Sequence, residues 1–216
     1  MNDRSCSNSN LNSTASALDR VTTAEVEKDG KKFLRVTIDG VDFFLPFMLI
    51  SGKQVAFLDV SGQVLLIEKT ADVLVDRLIE VGAKFDTILN PVAKSNALAH
   101  AIAVRWAQKV DPSLTRTIVA RKAKPGDKHE VEASYRSVTT NSDQTMYIAE
   151  SDLAYMKGKN ILLVDDVFGG GGTTRALREL VRKADANVSA HAVASIEQGA
   201  NIPEDLVYLY TLPVID

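Results

Sequence analysis

Hydrophobic and polar positions alternate along this chain in two rhythms. From Lys32 to Glu68, runs rich in Phe, Val, Ile and Leu are cut by the turn pairs Asp39-Gly40, Ser51-Gly52 and Ser61-Gly62, which predicts a small antiparallel β unit. In TADVLVDRLIEVGAK that follows, Leu74, Val75, Leu78 and Ile79 fall at helical spacing, with Thr70 as a candidate cap and Gly82 as a candidate terminator. Next come a short apolar run around 87–89, a helix from Ser95 to Val110 with a stripe of Leu98, Ala101, Ile102 and Trp106, and a run around 117–120. A long polar stretch separates these from the run 160–164, a glycine-rich turn, a helix over 174–185 and two final β-like runs around 188–196 and 206–214. Continuous apolar strands alternating with helices predict an α/β fold: a parallel sheet flanked by helices, preceded by the small β-rich unit.

The composition fits one full-sized domain and removes several functions. In 216 residues, 25 Lys and Arg face 28 Asp and Glu, a net charge of −3, so no broad cationic surface for nucleic acid or an anionic membrane is expected. Cys6 is the only cysteine and the three histidines are far apart, which argues against a disulfide framework and against a Cys- or His-based metal site. The first twenty residues are dominated by Ser and Asn and read as a disordered tail without an export signal, so a cytoplasmic protein is expected. The domain plan is a tail over 1–20, a β-rich N-terminal subdomain or hood over 21–69, and an α/β core over 70–216.

Chemistry concentrates in ILLVDDVFGGGGTTRALREL, residues 161–180. An apolar strand ends in Asp165 and Asp166 and passes into Gly169, Gly170, Gly171 and Gly172, which open a helix for which Thr173 or Thr174 is the expected cap. Glycines let successive N–H groups converge on one anion, and the helix dipole assists, so the loop suits a phosphate. The carboxylates would repel that phosphate unless they accept hydrogen bonds from hydroxyls or sit near a cation travelling with it. A sugar phosphate with vicinal hydroxyls meets both needs. A P-loop is excluded because Gly172 is followed by Thr173 rather than Lys, and a Rossmann fingerprint counted from Gly169 would need glycine at Thr174.

This segment resembles the phosphoribosyl-pyrophosphate (PRPP) motif of type I phosphoribosyltransferases, and the adenine phosphoribosyltransferases within that family are the nearest match in pattern. Similarity extends through much of residues 56–214: ARKAK at 120–124 followed by ASYRS at 133–137, Phe57-Leu58-Asp59-Val60, and LVYLYTLPVI at the end. The resemblance implies a five-stranded parallel core under a small hood, a homodimer, and transfer of ribose 5-phosphate from PRPP to a purine or purine-like base with release of pyrophosphate. It further implies that Asp165 and Asp166 hold the ribose hydroxyls and that residues 169–173, including Thr173, bind the 5′-phosphate. Lys94 and Ser95 would face pyrophosphate with Arg121 and Lys122 adding charge, and Phe57 and Leu58 would lie near the base. Magnesium would arrive with PRPP, with no direct protein ligand. Residues 123–147 would form a lid carrying Tyr135 as a catalytic residue, although an ordinary hairpin accounts for that stretch equally well. Phe43, Phe44 and Phe47 are expected chiefly in the core. Gly170, Leu58 and Val138 stand where the family usually has Thr, Arg and Glu. These departures define the alternative, a non-catalytic PRPP- or nucleotide-binding regulator on the same fold.

Overall fold

The computed structural model describes residues 16–50, 52–122, 130–136 and 143–215. Thirteen strands and four α-helices among these residues follow in the order β1 (Val21–Lys28), β2 (Lys31–Ile38), β3 (Val41–Ile50), β4 (Lys53–Ala56), α1 (Val64–Glu80), β5 (Thr87–Pro91), α2 (Ser95–Lys109), β6 (Thr117–Ala120), β7 (Glu130–Arg136), β8 (Asp143–Ala149), α3 (Glu150–Met156), β9 (Asn160–Phe168), α4 (Gly172–Lys183), β10 (Asn187–Glu197), β11 (Leu206–Val207), β12 (Tyr210–Leu212) and β13 (Val214–Ile215). None of the helices is long and apolar enough to cross a membrane.

The central sheet is parallel throughout, in the order β11-β10-β9-β5-β6, with β12 also on β10. β11 pairs with His191 and Ala192, and β12 with Ser195 to Glu197, so together they form one interrupted fifth strand. Every residue of β5 and Ile161–Val164 of β9 are buried, which is why these segments read as unbroken apolar runs. One face is covered by α1 and α2, whose Leu74, Leu78, Leu98 and Ile102 are fully buried. The Trp106 ring lies 4.2 Å from that of Phe85 at the end of α2. The other face is covered by α4, α3 and the β7–β8 hairpin, through Leu177, Leu180, Met146 and Met156.

The N-terminal unit is an antiparallel sheet in the order β1-β2-β3-β4-β13. Its first two hairpins turn on Asp29-Gly30 and Asp39-Gly40, both with positive φ at each residue, the geometry that matches the right-handed strand twist. The residues before Lys32 belong to this sheet as well, because β1 pairs along its whole length with β2.

Three expectations need correction. The tail does not extend to residue 20: Ala17–Arg20 form a 3₁₀ turn in which Ala17 is buried, its N–H donating to Glu80 Oε1 at 2.6 Å. Residues 1–15 lie outside the described residues. Helix α1 begins at Val64, after an uncapped Gln63, and Thr70 is buried inside it rather than capping it. Its end at Gly82 is as expected. The last apolar run, 206–214, is not one strand, since β13 leaves the core and pairs antiparallel with β4, Val214 opposite Val55. In the polar stretch after β6 lie β7, β8 and α3, and the pairing of β7 with β8 makes Glu130–Arg136 and Asp143–Ala149 a hairpin, the alternative reading of that stretch. Ala133, Met146 and Ile148 bury it against the face that carries α4.

Arg20 ties the N-terminal turn down. Its Nε and Nη2 donate to Asp39 at 2.6 and 2.8 Å, and its Nη1 to Asp76 of α1 at 2.6 Å. The guanidinium holds the Asp39 carboxyl below its usual value of 3.8. A carboxylate with a lowered folded-state pKa contributes fully above the unfolded value and loses that contribution as pH falls through the folded one. Arg20→Gln is expected to cost about 1 kcal/mol at neutral pH, the solvent around both partners limiting the effect. Urea titrations of the two proteins should converge as pH drops below about 4; a constant difference down to pH 2 would contradict the pairing.

Candidate functional site

Numbered along the chain, the core strands β5, β6, β9, β10 and β11/β12 lie in the order 2-1-3-4-5, so the winding direction reverses between β5 and β9. In open α/β sheets that reversal leaves a crevice at the strands' carboxyl ends. Here β5 delivers the Val92–Lys94 turn, with a cis Val92–Ala93 peptide, and β9 delivers Asp165, Asp166 and the glycine loop. The hood leans over the same edge. The resulting cleft of about 580 Å³ has a floor of Asp165, Asp166, Gly169–Thr173 and Lys94, and an apolar wall including Val55, Phe57, Leu58, Leu212 and Val214.

The Asp166 N–H donates to Asp165 Oδ1 at 2.9 Å. Loss of water around Asp165, and then the neighbouring Asp166 carboxylate, raise the Asp165 pKa well above 3.8, against an opposing pull from Lys122. Two crowded acids at the sheet edge therefore gain from any ligand that brings hydroxyl donors or positive charge. The loop beyond them turns at Gly171, which adopts φ 71° and ψ 9° as the N-cap of α4. That left-handed turn needs no side chain, and it corrects the expected cap, since neither Thr173 nor Thr174 caps the helix: α4 has no side-chain cap bond. The first N–H groups of α4 thus stay available at the cleft floor.

The other expected residues divide into those brought to the cleft and those left at its margin. The Lys94 ammonium lies 4.6 Å from the centre of the Phe57 ring and 3.8 Å from Asp59 Oδ1. Ser95 does not present its hydroxyl: it is buried and donates to Pro91 O at 2.6 Å, so only its backbone N–H remains for a ligand. Arg121 and Lys122 are exposed at the end of β6 and do not line the cleft, although Lys122 is near enough to act on Asp165. The Arg121 backbone exchanges two 2.8 Å hydrogen bonds with Tyr147, which closes the sheet edge onto the hairpin. Tyr135 pairs through its backbone with Gln144; its side chain, Val138 and segments 123–129 and 137–142 lie outside the described residues. Leu58 is buried in the core as well as edging the cleft, and of the four phenylalanines noted in the hood sequence only Phe57 lines it.

Glu197 and Gln198, at the carboxyl end of β10, also line the cleft and went unnoticed in the sequence. Their signal was positional, because the strand beside the one bearing the acids should end at the same edge. The Gln198 carboxamide accepts from Val214 N at 3.1 Å and so ties β13 to the core.

Comparison with known proteins agrees with this geometry. The profile of the phosphoribosyl transferase domain matches residues 64–215. The chain belongs to the phosphoribosyl transferase domain family. Among solved structures, the adenine phosphoribosyltransferase from Thermoanaerobacter pseudethanolicus is similar with a TM-score of 0.59 at 16% identity, covering 88% of this chain and 95% of that one. The Saccharomyces cerevisiae enzyme, complexed with an imino-altritol bisphosphate and adenine, has a TM-score of 0.58 at 18% identity, covering 87% and 93%. These likenesses establish the fold, an α/β core with a hood as the resemblance implied. A curated relative, the purine biosynthesis transcriptional repressor PurR of Bacillus subtilis, is 25% identical over 173 residues, 79% of this chain and 57% of that protein. This chain therefore spans a little over half the length of that relative.

The crowding of the two acids has a measurable cost. A carboxyl whose folded-state pKa is raised penalises the folded state as pH rises past the unfolded value. Asp165→Asn keeps the acceptor for the Asp166 N–H and removes the charge, so it should raise Tm at pH 7 by about 2–4 °C. The gain should vanish below about pH 4. A lower Tm at pH 7 in scanning calorimetry would contradict the assignment.

Proposed function

We propose that the cleft binds PRPP and transfers its ribose 5-phosphate to a purine or purine-like base, releasing pyrophosphate. The observation that carries this reading is the convergence, at the β5/β9 reversal, of a carboxylate pair, an uncapped helix N-terminus behind Gly169–Gly171, and the Lys94 turn. Residues 169–173 would bind the 5′-phosphate through backbone N–H groups. Asp165 and Asp166 would accept hydrogen bonds from the ribose hydroxyls, which relieves their mutual repulsion. Lys94 and the N–H groups at the start of α2 would hold the pyrophosphate oxygens as the bond to the anomeric carbon lengthens. The apolar wall from Val55 to Leu58 would hold a flat base against the opposite face of the sugar and keep water from the electron-poor carbon.

The acids fit a magnesium ion that arrives on PRPP. Among the described residues no group of three His, Cys, Asp or Glu side chains converges. With Asp165 and Asp166 holding the sugar hydroxyls, phosphate, hydroxyl and water oxygens would be left for such an ion, which dehydrates reluctantly. Such an ion would neutralise charge developing on the leaving pyrophosphate. Under this proposal Arg121 and Lys122 would add charge toward the pyrophosphate, Tyr135 would act in catalysis, and the protein would be a cytoplasmic homodimer.

A second reading, a regulator that binds PRPP or a nucleotide without turnover, is favoured by the similarity to the PurR repressor. It is favoured also by the cleft itself, whose acids among the described lining residues are Asp165, Asp166 and Glu197, all at the sheet edge and none on the apolar wall. Pyrophosphate release from magnesium PRPP, measured with adenine, guanine, hypoxanthine, xanthine, uracil and orotate, separates the two. Base-dependent release is the expected result; PRPP binding without release for any base supports the regulator. Under both, Asp165→Asn with Asp166→Asn should weaken PRPP in titration calorimetry at least about tenfold, ~1.4 kcal/mol. Unchanged affinity would remove the site.

A further inference from the structure

A second cleft, of about 530 Å³, adjoins the first along the glycine loop and is lined by Gly169–Gly171, Thr174, Arg175 and Arg178 among others. Glu197 lines both clefts and stands at their junction. In register, Ile196 of β10 pairs with Phe168 of β9, so the next residues, Glu197 and Gly169, come side by side as the strands end. The carboxylate rests on the glycine: a Cβ at 169 would lie 2.3 Å from Glu197 Oε2 and 2.7 Å from the carboxyl carbon. No larger residue at 169 is compatible with that placement.

An anion on the loop N–H groups therefore has a carboxylate on one flank. The space past that flank is large enough for further phosphate, and shape alone would not exclude it. Two arginines are present there, but both are already engaged. Arg178 donates to both oxygens of Asp205, at 2.7 and 2.6 Å, and the exposed Arg175 donates to Gly170 O at 3.2 Å. Glu197 has no ion-pair partner among the described residues, whereas the Arg178 charge is balanced by Asp205. An unbalanced carboxylate against Gly169 acts on a neighbouring anion more strongly than a cation already paired with a carboxylate does.

We propose that Glu197 is a specificity-determining residue that limits the cradle to a single 5′-phosphate, admitting 5′-monophosphates and rejecting 5′-diphosphates by charge rather than by size. This inference rests on the reading of residues 169–173 as the 5′-phosphate cradle. A β-phosphate continuing toward the second cleft must pass the carboxylate on Gly169. Replacing that carboxylate with a neutral group opens the way, and Arg175 then favours the longer anion.

The test is the ratio of dissociation constants for AMP and ADP, and for GMP and GDP, in the presence of magnesium, using wild type, Glu197→Gln and Gly169→Ala. Both nucleotide pairs differ only by the β-phosphate, so the identity of the base cancels. Wild type should bind each monophosphate at least about tenfold more tightly than its diphosphate, and Glu197→Gln should reduce that ratio to about three or below. Gly169→Ala should shift the ratio in the same direction, because its methyl group displaces the flexible end of Glu197. Equal wild-type affinities within each pair, or a ratio unchanged in both variants, overturns the role of Glu197 while leaving the cradle in place. Failure of wild type to bind PRPP or either monophosphate overturns the cradle itself, and the inference with it.

Discussion

A parallel sheet that is apolar on both faces has to be covered on both, and that requirement organises the molecule. β5, the first half of β9 and most of β10 bury nearly every side chain. The chain meets the demand with α1 and α2 on one side and with α3, α4 and the β7–β8 hairpin on the other. What cannot be covered in this way is the carboxyl edge, where strands stop and helices start with N–H groups lacking partners. The polar chemistry of the protein collects there because that edge alone combines rigid backbone, free donors and access to solvent.

The hood completes the edge rather than forming a separate unit. β13 pairs with β4, Gln198 accepts from Val214, and Ala56 N–H donates to Pro213 O, so the last residues of the chain join the antiparallel sheet to the end of the core. At the other end Arg20 links the β2–β3 turn to α1. These ties place Phe57 and Leu58 opposite the acids. Without them the apolar wall would have no fixed position relative to Asp165 and Asp166.

The floor of the cleft is held in an electrostatically unfavourable state. Asp165 is crowded by Asp166, Glu197 lies against Gly169 of the loop, and α4 starts without a side-chain cap. Each feature costs folding free energy, and under the proposed function each would be relieved by a ligand carrying hydroxyls, a cation or a phosphate. The deep core of Leu74, Leu98, Ile102 and Leu162 makes that cost tolerable.

Much of this was legible in residues alone. The runs at 87–89, 117–120 and 160–164 became strands because buried parallel strands need uninterrupted apolar side chains, and Asp39-Gly40 became a hairpin turn because its backbone geometry is local. The acids and glycines of residues 165–173 announced their chemistry for the same reason: their spacing on one strand and loop is fixed by the chain. Elements whose existence depends on distant partners were not legible. β13 is stabilised by pairing with β4, and the seating of the β7–β8 hairpin by burial of Met146 and Ile148 against the α4 face. Ser95 looked available for a ligand until the Pro91 carbonyl took its hydroxyl. Glu197 lies 28 residues beyond Gly169 in sequence, and only the parallel pairing of β9 with β10 sets its carboxylate on that glycine. Local sequence determined the strands, the turns and the acid-and-glycine motif, whereas tertiary structure decided which charges meet, because electrostatic interaction depends on distance in space.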